Sequence, residues 1–168
     1  MPQDRFRIGL VWKGRNLHAN DFERSIHQVS LLAPLWAVSN TSFISLQKDN
    51  REEENIFPPN QPIFNLAEQI TDFADTAAII KNLDLLICVD TAVAHLAGAL
   101  GVRCWVMLPY YKTDWRWMDN RNDSPWYPNV TRLFKQSSRG QWCPVIDKMV
   151  NELEKLIESG QDNHLSVY

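Results

Sequence analysis

The chain has 168 residues, of which 45% are hydrophobic, and this is enough for one domain with a full core. Its formal net charge is −3, and acidic and basic residues are interspersed, which argues against a nucleic-acid partner. No run reaches the roughly 20 apolar residues that span a bilayer, and the first residues are too polar for a signal peptide. The three cysteines are widely spaced, and two lie in apolar runs, where a thiol behaves as a small hydrophobe. We therefore expect a soluble, cytoplasmic domain.

Apolar β-type runs alternate with helix-type patterns along the chain, which predicts an α/β fold with a mostly parallel sheet of about six strands and helices on its faces. The predicted strands are 7–12, 42–47, 63–66, 85–89, 103–108 and 130–135. The predicted helices are 30–38 behind a Ser30 N-cap, 72–82 behind an Asp or Thr cap, 91–100 ended by Gly101, and one along the apolar stripe 142–157. Segments 48–62 and 109–128 are predicted loops. We expect one domain over residues 1–160 and a disordered tail over residues 161–168.

The segment 90–101 reads Asp-Thr-Ala-Val-Ala-His-Leu-Ala-Gly-Ala-Leu-Gly, directly between a buried strand and a helix. In an open parallel sheet, ligands bind beyond the carboxyl ends of the strands, where a helix start presents unpaired amides and a partial positive charge. A diphosphate would fit there, with Thr91 as an N-cap or a phosphate ligand. Small residues would let the helix approach the sheet and the ligand: Ala92, Ala94, Ala97 and Gly98. The alternative is that Asp90 and Thr91 only cap a tightly packed helix.

Cations that could meet a phosphate follow the first strand, in the loop that contains Lys13, Gly14 and Arg24; Lys48 after the second strand is a weaker candidate. The alternative for each is a solvated polar loop. His95 lies one helical turn after Thr91 and is either a ligand contact or a buried, hydrogen-bonded histidine.

The sequence lacks several motifs that would indicate other chemistry. No histidine or cysteine has zinc-ligand spacing, and no Asp-x-Asp pair is present to hold a divalent cation. Walker A, Gly-x-Gly-x-x-Gly and Gly-x-Ser-x-Gly motifs are absent, which disfavours ATPase, dinucleotide-binding and hydrolase functions. We predict no metal and no cofactor other than a substrate.

The predicted loop 109–128 carries aromatic side chains among charged ones, a mixture that suits sugar rings and nucleobases. The aromatics are Tyr110, Tyr111, Trp115, Trp117, Trp126 and Tyr127. The same residues would also suit an aromatic cluster that keeps a long loop ordered, and this alternative stays open.

Together these blocks resemble the C-terminal, donor-binding half of GT-B glycosyltransferases of the heptosyltransferase type (glycosyltransferase family 9), as found behind tetratricopeptide repeats in bacteria. The resemblance covers about residues 7–157. It depends on Ile8-Gly9-Leu10-Val11-Trp12, Arg24-Ser25-Ile26, Ser45-Leu46-Gln47-Lys48, residues 72–77, residues 90–101, Asp114-Trp115-Arg116-Trp117 and residues 124–128. The family usually has Asp-Thr-Gly where this chain has Asp90-Thr91-Ala92, and a lysine in the block of Arg24.

The resemblance implies a Rossmann-like three-layer α/β/α domain, half of a GT-B fold, that binds a nucleotide-sugar donor. It also implies that the sugar is transferred with inversion and without a metal. The donor and phosphate contacts would be Lys13, Gly14, Arg24, Asp90, Thr91, Ala92 and His95, and the nucleobase or sugar contacts Gln47, Lys48, Asp114 and Trp115. It places the acceptor site and the catalytic base in an N-terminal half that the chain lacks, so we expect the isolated chain to be inactive in transfer. The catalytic residues stay unknown. A different class of function is a non-catalytic protein-interaction module that keeps the glycosyltransferase fold.

Overall fold

In a computed structural model, the chain forms a six-stranded sheet in the order β3-β2-β1-β4-β5-β6, and every neighbouring pair is parallel. The structure describes residues 5–48 and 63–165, with side chains described as far as residue 159. The strands are β1 (Phe6–Val11), β2 (Thr41–Ser45), β3 (Ile63–Asn65), β4 (Leu85–Val89), β5 (Cys104–Leu108) and β6 (Thr131–Lys135). The predicted Rossmann-like fold and the strand count are confirmed.

Helices cover both faces of the sheet. They are α1 (Asp21–Arg24), α2 (Ala33–Trp36), α3 (Phe73–Ile80), α4 (Ala92–Ala99) and α5 (Cys143–Leu165). Residues of α2 and α5 pack in one core with one face of the sheet, and residues of α3 and α4 pack in a second core with the other face. These are the predicted three layers.

The middle strands are buried on both faces, as the continuous apolar run 85–89 predicts. Along β4, Ile87 points into the α2/α5 core, whereas its neighbours Leu86 and Cys88 point into the α3/α4 core. The Sγ atoms of Cys88 and Cys104 lie 3.8 Å apart in that core as unoxidised thiols. Burial, followed by the contact with Cys104, raises the pKa of Cys88 well above its usual range, so this thiol stays protonated and acts as a packing group.

The start of α3 agrees with the sequence prediction, whereas the start of α2 does not. Asp72 caps α3, because its carboxylate accepts hydrogen bonds from the amides of Ala74 and Asp75. The predicted helix 30–38 is instead a 3₁₀ turn, Val29–Leu32, followed by α2, and Ser30 lies inside the turn rather than at an N-cap. The reason is Pro34, whose missing N–H and fixed φ favour the first turn of a helix and so make a new start there.

The structure describes only part of the chain ends and of the first predicted loop. Helix α5 continues to Leu165, so its backbone extends into the segment predicted as a tail. Residues 1–4, most of the predicted loop 48–62 and residues 166–168 lie outside the described part of the chain. No helix within the described ranges is both long and apolar enough to cross a bilayer.

The strand order places a topological switch point at the centre of the sheet. Strands β1 and β4 are neighbours, but the chain proceeds from β1 outward to β2 and from β4 outward to β5, on opposite sides. The connections that leave their carboxyl ends therefore diverge and open a gap above the sheet. The segments that line this gap follow Val11 and Val89, and both were predicted to contact phosphate.

Candidate functional site

The loop after β1 is fixed to the sheet by Gln47. Its Oε1 accepts hydrogen bonds from the amides of Trp12 (2.9 Å) and Lys13 (2.8 Å), and its Nε2 donates to the carbonyls of Lys13 (3.2 Å) and Lys48 (3.3 Å). Gln47 is 5% exposed, and these bonds fill the capacity of its amide. Gln47 therefore fixes the backbone beside Lys13, whose side chain is half-buried, and its nucleobase or sugar contact stays a prediction.

The same loop is joined to α1 by a polar network. The Ser25 hydroxyl accepts from the Gly14 amide (2.9 Å) and donates to the Asp21 carboxylate (2.8 Å), which also accepts from Nε of Arg24 (3.3 Å). Gly14 leaves room for the arginine, because a Cβ at that position would lie 2.3 Å from Nη2 of Arg24. Gly14 and Arg24, predicted from the sequence as neighbours at a phosphate site, are in direct contact.

Arg24 also crosses the gap between β1 and β4. Its Nη1 donates to the backbone carbonyl of Asp90 at 3.0 Å, and its guanidinium is largely buried. The structure thus brings four of the predicted donor residues together at the switch point of the sheet: Gly14, Arg24, Asp90 and Thr91. The Arg24 guanidinium therefore lies beside the positive end of α4, in an ion pair with Asp21.

The first residues of α4 lie at the carboxyl end of β4. Thr91 occupies the N-cap position with extended backbone (φ −145°, ψ 167°), but its side chain makes no capping hydrogen bond. Its hydroxyl is buried without a hydrogen-bond partner, whereas Ala92 is exposed. The interpretation that Asp90 and Thr91 only cap the helix is not supported by these contacts, because neither side chain accepts from the first amides of α4. Of these amides, that of Ala94 donates to the Thr91 carbonyl at 3.0 Å, and those of Ala92 and Val93 remain for a ligand or solvent.

The Asp90 carboxylate is held by the loop that follows β5. Trp117 is completely buried and donates its indole N–H to Oδ1 of Asp90 at 2.8 Å. The imidazole of His95 stacks on the same indole, with ring centroids 4.9 Å apart and planes 13° apart. Trp117 therefore joins the end of β4 to the first turn of α4.

His95 has a second partner in Tyr127. Its Nδ1 lies 3.1 Å from the Tyr127 hydroxyl, and the tyrosine ring covers Gly98, where a Cβ would lie 2.4 Å from the ring. His95 is thus hydrogen-bonded, as the alternative expected, but it is half-buried rather than buried, and its contact with a ligand stays a prediction. Gly98 makes room for Tyr127 rather than for the sheet or a ligand; on α4 the residues fully buried in the core are Ala94 and Ala97.

Two further predicted contacts lie near this cluster in the loop 109–128. Asp114 caps a 3₁₀ turn, Trp115–Trp117, and accepts hydrogen bonds from the amide and the guanidinium of Arg116. Burial alone would raise the pKa of Asp114, but the bonds from Arg116, with the charges of Arg116 and His95, outweigh it and lower the pKa. Asp114 is therefore ionised at neutral pH, and Trp115 stays 66% exposed.

Lys48 is separated from the cluster. Its Nζ donates to the Thr71 carbonyl at 3.3 Å, next to the start of α3, while its backbone carbonyl accepts from Nε2 of Gln47 at 3.3 Å. Sequence reasoning did not place Asp21, Ser25, Trp117 or Tyr127 in the site. Ser25, Trp117 and Tyr127 lay within the quoted blocks, but which side chains they meet depends on the fold.

Two surface depressions and the arrangement of metal-ligating side chains do not indicate a second site among the described residues. Two open depressions of about 670 Å³ and 690 Å³ lie beside β6 and between β6 and α5, and none of the predicted site residues lines either one. Over residues 5–48 and 63–165, no three His, Cys, Asp or Glu side chains are grouped so as to hold a metal ion.

The sheet order and the switch point at its centre define an α/β domain of the Rossmann-like class. The chain belongs to glycosyltransferase family 9 (heptosyltransferase), whose family model matches residues 38–137. That match includes the start of α4 and the whole loop after β5, and it leaves out the loop of Lys13 and Arg24.

A longer relative is also similar. Protein FlbA of Caulobacter vibrioides is 27% identical over 158 residues, which cover 91% of this chain and 26% of FlbA. The chain therefore spans about a quarter of the length of that relative.

Proposed function

We propose that this domain binds a nucleotide-sugar with its diphosphate at the start of α4, and that it is the donor half of a metal-independent, inverting glycosyltransferase of the GT-B type. Membership of the heptosyltransferase family supports a nucleotide-sugar substrate. The observation that carries the proposal is the contact of the Arg24 guanidinium with the Asp90 carbonyl, 3.0 Å across the gap where α4 begins.

The chemistry requires positive potential at this point. Transfer breaks the bond between the anomeric carbon and a diphosphate oxygen, so negative charge accumulates on the leaving diphosphate. The amides at the start of α4 and the cations Arg24 and Lys13 would stabilise that charge as it develops. Inversion follows when an acceptor hydroxyl attacks from the opposite face of the sugar, and the base for that step would come from the acceptor half. The proposal needs no cofactor.

Arg24 can serve a ligand without leaving its present partners. Its bonds to Asp21 and to the Asp90 carbonyl use a hydrogen on Nε and one on Nη1, so the hydrogens of Nη2 are left for phosphate oxygens. The Thr91 hydroxyl, which is buried without a partner, would gain one when a phosphate oxygen approaches.

An acceptor domain is the main partner that the proposal requires. Because the chain spans about a quarter of FlbA, we propose that a further domain or a tetratricopeptide-repeat region supplies the acceptor site, in a bacterial cytoplasmic protein. The isolated chain would bind donor without catalysing transfer.

Titration of the isotope-labelled domain with UDP, GDP and ADP and their sugars, followed by NMR, tests donor binding. We expect saturable shifts in residues 12–26 and 90–96. Arg24→Gln should weaken binding about 10-fold or more, since a charge-assisted hydrogen bond contributes about 1.5–3 kcal/mol. Arg15→Gln, an exposed arginine of the same loop, is the matched control and should leave affinity unchanged. Shifts confined to other surfaces, or equal effects of the two variants, would contradict the proposal.

A non-catalytic interaction module is the second candidate. It is favoured by four exposed aromatic side chains between β5 and β6: Tyr110, Tyr111, Trp115 and Trp126. Single, scattered apolar residues are ordinary on a surface, but two of these aromatics, Trp115 and Trp126, are in contact, and adjoining exposed aromatics suggest a partner. A stable protein complex by gel filtration, without any saturable nucleotide response, would favour this function over the first.

A further inference from the structure

The aromatic side chains of the loop 109–128 fall into two groups. Trp117 is fully buried, and Tyr127 is half-buried against Gly98, so these two residues attach the loop to the domain. Trp115 and Trp126 are 66% and 53% exposed. Because Trp117 and Tyr127 already attach the loop to the domain, packing does not explain the indoles of Trp115 and Trp126.

The two exposed indoles are held in a fixed arrangement. Trp126 donates its indole N–H to the Arg116 carbonyl at 2.9 Å, and its ring meets that of Trp115 edge to face, with centroids 6.2 Å and planes 86° apart. The guanidinium of Arg116 lies over Trp115, 4.9 Å from the ring centroid, and is itself bound to both carboxylate oxygens of Asp114. These contacts hold two large apolar faces in solvent. Because the side chains are already ordered, binding a ligand there costs little side-chain entropy, as is typical of a recognition surface.

We propose that Trp115 and Trp126 form an aromatic corner that binds a sugar ring, with Asp114 and Arg116 at its rim as partners for hydroxyl groups. A planar nucleobase is held best by a face parallel to it, and one plane cannot be parallel to two faces that are 86° apart. A pyranose is not planar: its C–H groups can contact one indole while a ring edge meets the other. The carboxylate and the guanidinium at the rim supply an acceptor and a donor for its hydroxyls.

The position of the corner connects it to the proposed donor site. Trp115 is two residues before Trp117, whose indole donates to the Asp90 carboxylate and stacks on His95 in the first turn of α4. A ring in the corner would therefore lie beside the start of α4. It could be the sugar of the donor or a sugar of the acceptor glycan; only the first of these depends on the proposed function.

The corner can be tested through its own indole N–H signals, which are assigned by Trp115→Phe and Trp126→Phe. The wild-type domain is titrated with UDP and UDP-glucose, GDP and GDP-mannose, ADP and ADP-glucose, and separately with maltotriose, chitobiose and mannobiose. If the corner binds the donor sugar, the Trp115 and Trp126 indole signals should shift with a nucleotide-sugar and not with the nucleotide alone. If it binds an acceptor sugar, these signals should shift with a free glycan in the absence of nucleotide.

Trp115→Ala should then weaken binding of the effective sugar about 3- to 10-fold, the loss expected for one stacked aromatic face, while binding of the nucleotide alone stays unchanged. Tyr110→Ala removes another exposed aromatic of the same loop and is the matched control. Indole signals that no sugar moves, or a Trp115→Ala effect on self-association in sedimentation instead of on sugar binding, would overturn the proposal. If the nucleotides alone do not bind, the proposed function is contradicted. The titrations with free glycans would still test whether the corner binds sugar.

Discussion

The hydrogen bond between Trp117 and Asp90 gives the sharpest test of how the loop 109–128 supports the start of α4. Trp117→Phe keeps an aromatic ring beside His95 but removes the N–H that bonds Oδ1 of Asp90 at 2.8 Å. It also leaves unfilled space, because the indole is fully buried and phenylalanine is smaller.

The magnitude follows from two terms. A hydrogen bond to a charged group contributes about 1.5–3 kcal/mol, and the lower end applies because Asp90 is half-buried and water can replace part of the bond. The missing ring atoms add about 1–2 kcal/mol of lost burial. The sum is about 3 kcal/mol, which corresponds to a fall in Tm of about 6–12 °C for a chain of this size.

Thermal and urea denaturation measure the effect against Trp126→Phe. That control also removes an indole hydrogen bond, 2.9 Å to the Arg116 carbonyl, but on an indole that is 53% exposed. Water replaces the lost partner there, so we expect less than about 1 kcal/mol. Equal losses in the two variants, or an unchanged Tm for Trp117→Phe, would refute the structural role of the Asp90 contact.

Three more variants test the contacts around the site. Gln47→Ala deprives two backbone amides of their acceptor and should cost about 2–4 kcal/mol in urea denaturation. Burial raises the pKa of Asp84, but hydrogen bonds from the side chain and amide of Arg7 lower it below its usual range on balance. Its stabilising contribution is therefore full above the unfolded-state pKa and is lost as the pH falls through the lower folded-state pKa; Asp84→Asn should flatten the acid limb of stability against pH. Gly98→Ala pushes a Cβ to 2.4 Å from the Tyr127 ring, and overpacking of about 1–3 kcal/mol should exceed the gain of about 1 kcal/mol in helix propensity, so that Tm falls.

Controls for these variants come from the same chain. Gln69→Ala and Asp147→Asn change exposed side chains and should be nearly neutral for stability. In a Tyr127→Ala background the obstacle to a methyl group is gone, so Gly98→Ala should become stabilising by up to about 1 kcal/mol. If the substitution destabilises both backgrounds equally, contact with the tyrosine is not the cause.

The parts of the fold that were predictable depend on local patterns. The run 85–89 predicted β4 with its observed bounds, and the carboxylate of Asp72 predicted the start of α3, because burial on both faces and capping leave their mark on consecutive residues. The helix 30–38 was the exception, since Pro34 starts a helix inside an apolar pattern that looked continuous. A pattern of period 3.6 does not show where one helical segment ends and the next begins.

The candidate site was predictable in its elements and not in its contacts. The sequence indicated that Arg24 and Thr91 belong to loops at the same edge of a parallel sheet. It did not indicate that Arg24 donates to the Asp90 carbonyl, 66 residues away, or that Gln47 uses its whole amide on backbone groups. Such partners depend on strand order, because β1 and β4 are neighbours in the sheet although most of the first half of the chain separates them in sequence.

The sequence by itself determined the class of fold, the family and the helix start at which a diphosphate is proposed to bind, because periodicity, small residues and turn chemistry are properties of neighbouring positions. The tertiary structure decided the roles of the individual side chains. It placed Trp117 in the core and Trp115 in solvent, although they stand two residues apart in one loop. The physical reason is that burial and hydrogen-bond partners are set by whichever elements pack from a distance, and the side chains of one short segment meet different ones.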